Sequence, residues 1–245
     1  MAKKSAVVIP ARYASSRFPG KPLAMLAGKP MICHVCEKAS ASKADYVIVA
    51  TDDERIAAVV KEYGYTAMMT RSDHQSGTDR IAEVVKNSDP EIDIIINVQG
   101  DEPLIPTSAI DDLLELMSEN ADYDMATIAV PADRDNMTEN NVKVVFGSDG
   151  KALYFSRSMI PFARKGGVPD QVYLHWGIYA YRRTALEKFV ALPAGRLEKS
   201  EMLEQLRAIE NGISIYVLIK ELESIGVDTP EDLEKAELRI AEMNK

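Results

Sequence analysis

Three short runs near the start of the chain are apolar at nearly every position: SAVVIP, DYVIVAT and DIIINVQG. Val and Ile dominate them, and polar or turn residues close each one, as in strands covered on both faces. Between and after them the pattern takes a helical period, over Lys29–Ser42, Asp53–Tyr63 and Gly77–Asn87. Asp52 or Asp53 is placed to cap the second helix, with Glu54 in its first turn. Such alternation predicts an α/β fold with a mostly parallel sheet, helices on both faces, and ligands at the carboxyl ends of the strands.

The second half changes character. MATIAVP, NVKVVFGSDGKALYFSR and VYLHWGIYAYR are β-rich, and GSDGK reads as a hairpin turn. Helices are expected again at Thr184–Val190, Leu197–Asn211 and Pro230–Asn244, the last with Thr229 as N-cap, Pro230 in first position and Asp232 in its first turn. No repeat or long linker interrupts the pattern. The expectation is one domain over 1–245, with a β-rich insertion at roughly 125–182 that offers a natural dimerisation surface.

Composition narrows the partners. Among 245 residues, 46% are hydrophobic, enough for a substantial core, and the net charge is −9. A nucleic-acid scaffold would show a basic face, so nucleic acid is not an expected partner. Any anionic ligand must meet a local cationic site. No window is long and apolar enough to cross a bilayer, and MAKKSAVVIP lacks the apolar core of a signal peptide. The reading is a soluble, cytoplasmic protein without membrane insertion. The two cysteines, Cys33 and Cys36, are spaced C-x-x-C, but no second such pair exists and His34, His74 and His175 are the only histidines. Two small apolar helix residues in a reduced protein explain them better than a redox or zinc motif.

Local positive charge sits on the first loop. VVIPARYASSRFPGKPL breaks at Pro10 and carries Arg12, Arg17 and Lys21, with Lys29 shortly after. Neither a Walker A nor a G-x-G-x-x-G pattern is present. Small residues and cations at a sheet's carboxyl edge suit phosphate, through backbone N–H groups and charge-assisted bonds. Further candidates are Asp101, in the turn of NVQGDEPLIP, and Asp228, before the last helix in IGVDTPEDL. Each carboxylate suits Mg²⁺ held against phosphates, with a turn cap for Asp101 or a helix cap for Asp228 as the lesser alternative. If both reach one site, two metals can flank a phosphoryl group in in-line displacement. In MTRSDHQSGTDR, Arg71 follows a strand and Ser76-Gly77-Thr78 leads into a helix whose free N–H groups can face a ligand.

Together PARYASSRFPGKPL, MTRSDHQSGTDR, NVQGDEPLIP, ALYFSR, GIYAYR, EMLEQLR and GVDTPEDL, in order from Pro10 to Leu233, resemble the 3-deoxy-manno-octulosonate cytidylyltransferases, the CMP-Kdo synthetases. The resemblance implies a Rossmann-like nucleotidyltransferase fold, three-layer α/β/α, with a homodimer and Mg²⁺. The implied reaction is CTP + Kdo → CMP-Kdo + pyrophosphate, serving lipopolysaccharide assembly. By the same resemblance Arg12 and Lys21 contact the CTP phosphates, Arg71, Ser76 and Gly77 border the cytidine, and Gln99 lies between nucleotide and sugar. Asp101 and Asp228 hold the metal, and Arg157, His175, Tyr179, Glu204 and Gln205 contact the sugar. Of the first loop's cations, Arg17 and Lys29 are left as background charge.

The residue types agree with that chemistry. Kdo is an anionic, hydroxyl-rich sugar acid, which Arg157 meets with charge and the other four with donors and acceptors. Glu204 and Gln205, taken as adjacent helix positions, would not share one face. Metal activation of the attacking hydroxyl stands in for a side-chain base. Departures from the family pattern are Trp176 in place of Leu and Glu223-Ser224-Ile225 in place of Pro-Gly-Thr. The stretch between Pro161 and Tyr173 is also shorter than in some members. They bear on the sugar more than on the nucleotide. Alternatives are the same reaction on the 8-amino-8-deoxy analogue of Kdo, a CMP-sialate synthetase, a metal-dependent glycosyltransferase, and a nucleotide-binding module without turnover.

Overall fold

The structure is a computed structural model describing residues 3–14, 18–164, 171–222 and 226–243. Ser15, Ser16 and Arg17 of the first loop, and Glu223-Ser224-Ile225, lie outside the described residues. The strands are β1 (Lys4–Ala11), β2 (Met25–Leu26), β3 (Lys29–Pro30), β4 (Tyr46–Thr51), β5 (Thr66–Met69), β6 (Ile92–Asn97), β7 (Met125–Asp133), β8 (Lys143–Phe146), β9 (Ala152–Ser156), β10 (Gln171–Arg182) and β11 (Ile215–Ile219). The helices are α1 (Met31–Ser40), α2 (Glu54–Glu62), α3 (Gly77–Lys86), α4 (Thr107–Glu119), α5 (Arg183–Val190), α6 (Arg196–Glu201), α7 (Leu206–Glu210) and α8 (Pro230–Met243). The chain forms two compact units, residues 1–114 with 223–245, and residues 115–222.

In the first unit β6, β1, β4 and β5 lie side by side in that order, all parallel. The runs of Val and Ile explain why: Val7, Val8, Ile9, Val49, Ile95 and Ile96 are fully buried, leaving no polar face. From β1 the chain steps through α1 to β4 and through α2 to β5, then returns through α3 to β6 on β1's other side. Right-handed crossovers therefore set α1 and α2 on one face and α3 on the other. This is a Rossmann-like arrangement, and its order reverses between β1 and β6. A crevice for ligand opens at such a switch point, beyond the strands' carboxyl ends.

Local signals start the helices where expected. Asp53 caps α2 by accepting from the Arg55 N–H at 2.9 Å. Ser76 and Asp79 close a reciprocal capping box at α3, and Thr229 and Asp232 do the same at α8. Cys33 and Cys36 are buried in α1, and burial pushes their thiols up to about 11 and about 12. They pack as small apolar groups. No three His, Cys, Asp or Glu side chains gather as a metal site among the described residues. Nor is any helix among them long and apolar enough to cross a membrane.

In the second unit β7 pairs with β11 in parallel and with β10 antiparallel, while β8 pairs antiparallel with β10 and β9. The GSDGK turn closes the β8–β9 hairpin, with the Gly147 N–H donating to the Lys151 carbonyl at 2.8 Å. Four described elements lie outside the expected ones: the short strands β2 and β3, the second of which takes Lys29 and Pro30 from the expected first helix, together with α4 and β11. One expected helix, Leu197–Asn211, divides into α6 and α7 because Met202 takes a left-handed φ of 53°. Glu204 and Gln205 consequently occupy the turn between two helices. The constraint that they cannot share a helix face falls away.

Candidate functional site

The loops after β1 and β6 meet because one residue has no side chain. A Cβ on Gly100 would lie 2.8 Å from the Pro10 carbonyl oxygen, a backbone atom that cannot swing away. From the other end of the sequence, the segment before α8 is tied in by the Val227 N–H, which donates to the Asp101 carbonyl at 2.9 Å. Beneath it Leu26, Met31, Val227 and Ala236 form a buried apolar cluster, with Phe18, Leu104, Leu233 and Ile240 packed against it. Three sequence-distant segments are thereby held together at the switch point.

Their charges converge. The Lys21 ammonium donates to Asp101 Oδ2 at 2.7 Å and to Asp228 Oδ1 at 3.2 Å. Lys21 opens a single 3-10 turn after Gly20, whose left-handed φ of 73° sets the direction of the loop. Its side chain is 13% exposed, against 35% for Asp101 and 49% for Asp228, so the carboxylates face outward and the ammonium lies beneath. Two carboxylates converging on one cation, with oxygen as the only donor, fit Mg²⁺, which takes one or two carboxylates together with phosphate and water. Asp101 and Asp228 would hold it.

Arg12, which the resemblance puts at the phosphates, also has partners on the protein itself. Its Nη2 donates to the carbonyls of His74 and, at 3.3 Å, of Ser76, so it braces the loop that leads into α3. Gly77 lies at the start of that helix against Pro10, with Ser76 as its cap. Arg71 is exposed and forms a two-bond pair with Asp73, at 2.9 and 2.6 Å. Gln99 donates to Asn97 Oδ1 at 3.3 Å, just past β6. Lys29 pairs with Glu37 near the surface.

The sugar candidates gather within the second unit. Burial among the Phe155 and Tyr179 rings, centred 5.0 and 5.3 Å away, pulls the His175 imidazole down to about 3, so it is neutral at pH 7. Tyr179 is pushed well above its ordinary value, first by burial and then by Tyr181 and Glu204. Gln205 is buried at the start of α7. Arg157 follows β9 and is tied to the end of α6, its Nε donating to the Glu201 carbonyl at 3.0 Å.

Thr127 was not legible as part of this group. Its hydroxyl donates to the Ile178 carbonyl at 2.7 Å, across a β-bulge between Trp176 and Tyr179, and lies 3.1 Å from His175 Nε2. A hydroxyl has one hydrogen, so Thr127 accepts from His175. That places the imidazole proton on Nε2 and leaves Nδ1 as an acceptor. Because the unfolded imidazole titrates near 6.5 and the folded one near 3, the unfolded state binds the extra proton in that window. Stability is present above pH ~6.5 and is lost as pH falls through the window. The stability difference between wild type and His175→Gln should fall by about 1 kcal/mol per pH unit from 6.5 to 5, below the one-proton limit because the unfolded imidazole is only partly protonated at the upper end of that range. Urea titrations at pH 7 and 5 measure it, and a pH-independent difference would refute a buried neutral imidazole.

The chain resembles known proteins over most of its length. The cytidylyltransferase family profile matches residues 6–220. A 3-deoxy-manno-octulosonate cytidylyltransferase of Thermodesulfovibrio yellowstonii is 52% identical, over 94% of this chain and 95% of that protein. An 8-amino-3,8-dideoxy-manno-octulosonate cytidylyltransferase of a Shewanella species is 48% identical, over 96% and 98%. Among solved structures, a CMP:2-keto-3-deoxy-manno-octonic acid synthetase complexed with CTP superposes with a TM-score of 0.94, at 44% identity over 98% of this chain and 99% of that one.

Proposed function

The chain belongs to the cytidylyltransferase family, and from that membership we propose that it transfers the cytidylyl group of CTP to Kdo, releasing pyrophosphate. The observation that carries the reading is the meeting of Lys21, Asp101 and Asp228 at the switch point of the parallel sheet. A triphosphate needs both cations and carboxylate-held metal there, and a simple binding module needs no such pair of carboxylates.

In the reaction the anomeric C2 hydroxyl of Kdo attacks the α-phosphorus. An O–P bond forms, the bond to the β-phosphate oxygen breaks, and the hydroxyl proton leaves. Bound Mg²⁺ would supply charge neutralisation and lower the pKa of that hydroxyl. Lys21 neutralises phosphate charge from beneath the carboxylates, and Arg12 keeps the His74–Ser76 backbone in place beside the loop. Ser76, Gly77 and Arg71 border the base, and Gln99 reaches from the end of β6. Catalysis is positioning and electrostatics rather than a covalent intermediate.

For the sugar acid, Arg157 meets the carboxylate, while neutral His175, protonated Tyr179, Glu204 and Gln205 exchange hydrogen bonds with hydroxyls. The relatives named for the 8-amino sugar support a second reading, since they are nearly as similar as those named for Kdo. A homodimer working in the cytoplasm, with its product consumed in lipopolysaccharide assembly, completes the proposal.

Pyrophosphate release from CTP and Mg²⁺ tests it, with Kdo, its 8-amino analogue and sialate supplied separately. Release stimulated at least tenfold more by Kdo than by either competitor is expected. Preference for the 8-amino sugar would move the assignment to the second reading, and stimulation by sialate alone or by none would overturn it.

A further inference from the structure

Lys143 is a charged residue in the second unit that the reaction does not require. It lies on β8, is 1% exposed, and forms no direct ion pair among the described residues. Its ammonium donates instead to three carbonyls, of Thr138 at 2.9 Å, Asn141 at 2.6 Å and Arg157. Three N–H groups and three acceptors close the account, but burying a lysine still costs more than burying Met or Leu of similar reach.

On the other side of the same residue stands Glu201, the last residue of α6. Its Oε2 accepts from the Arg157 N–H at 3.0 Å, its Oε1 accepts from the Ser156 hydroxyl at 2.6 Å, and its own carbonyl accepts from Arg157 Nε at 3.0 Å. Burial works against the Glu201 charge, yet the bonds from Ser156, the Arg157 backbone and Tyr154 hold it below the ordinary carboxylate range. The N–H, the carbonyl and the inner edge of the guanidinium of one residue are thus each gripped by a group of opposite polarity. A device that only stapled loops together would have no reason to end three times on the same arginine.

We infer that Lys143 and Glu201 are positioning residues for Arg157, fixing its backbone at the carbonyl and at the N–H so that the guanidinium meets the substrate carboxylate in one orientation. The inference rests on the reading of Arg157 as the carboxylate contact. It extends sugar recognition to two charged groups that touch no substrate. The left-handed break at Met202 belongs to the same device, because ending α6 there leaves the Glu201 carbonyl, an unused helix acceptor, directed to Arg157.

Kinetics of the full-length enzyme with Kdo, CTP and Mg²⁺ test this in Lys143→Met, Glu201→Gln, Arg157→Ala and the two double variants with Arg157→Ala. Lys143→Met and Glu201→Gln should each raise the Kdo KM about tenfold or more, with the CTP KM within about twofold of wild type. In the Arg157→Ala background neither should raise it further, because the group they act through is gone. Effects that add to that of Arg157→Ala, or unchanged Kdo KM in both single variants, would overturn the positioning role. If Lys143→Met does not fold, Glu201→Gln and its double variant decide alone. An unchanged Kdo KM in Arg157→Ala would overturn the inference by removing its premise, while pyrophosphate release by wild type would show whether the proposed reaction itself survives.

Discussion

Asp101→Asn should lower kcat by about 10²–10³-fold while the protein remains folded. The substitution keeps the shape of the side chain and removes one of the two carboxylate charges that converge on Lys21. On the proposed function, what would be lost is an anchor for metal at the reacting phosphates, an effect that would grow as the transition state develops. What is retained is the packing, since the turn is held by the Gly100 approach to Pro10 and by the Asp101 backbone carbonyl, neither of which involves the carboxylate. The ion pair with Lys21 is partly exposed, so its loss should cost only about 0–1 kcal/mol of stability. Steady-state rates across a Mg²⁺ titration, together with a urea melt, separate the two effects. A near-normal kcat at saturating Mg²⁺ would remove Asp101 from the metal site, and a large drop in melting stability would make the lost turnover a folding defect.

The parts of the fold that could be read from the sequence are those where local and tertiary demands coincide. β1, β4 and β6 are buried on both faces, so their composition alone announces them, and Asp53, Ser76 and Thr229 cap helices by bonds within a few residues. For α4 a signal was present and passed over: Ile110, Leu113, Leu114 and Met117 recur at helical spacing, and all four are buried. Nothing local marks the break at Met202. The residues around it are good helix formers, and the chain turns there in a context where Glu201 makes long-range bonds to Ser156 and Arg157. The site divides the same way. Lys21, Asp101 and Asp228 were legible as strand-end or pre-helix charges, whereas the engagement of Arg12 with the His74 and Ser76 carbonyls depends on partners more than sixty residues away. Thr127, Lys143 and Glu201 look like ordinary polar positions until the tertiary contacts are known.

Lys21→Met gives the second large effect, and its value lies in two readouts that should not fall together. In the structure the ammonium screens two carboxylates from one another. Removing it leaves Asp101 and Asp228 as like charges with an increased demand for a cation, so Mn²⁺ binding without nucleotide should be unchanged or tighter. Turnover should nevertheless fall by about 10²-fold and the CTP KM should rise, because a divalent ion held by the carboxylates does not replace a fixed positive charge on the triphosphate. Electron paramagnetic resonance of free Mn²⁺ reads the first quantity and pyrophosphate release the second. If metal affinity and turnover fell together, Lys21 would be acting by holding the carboxylates in place. If the CTP KM and kcat both stayed within twofold of wild type, the ammonium would be only their counterion, and the first loop would owe its phosphate affinity to other groups.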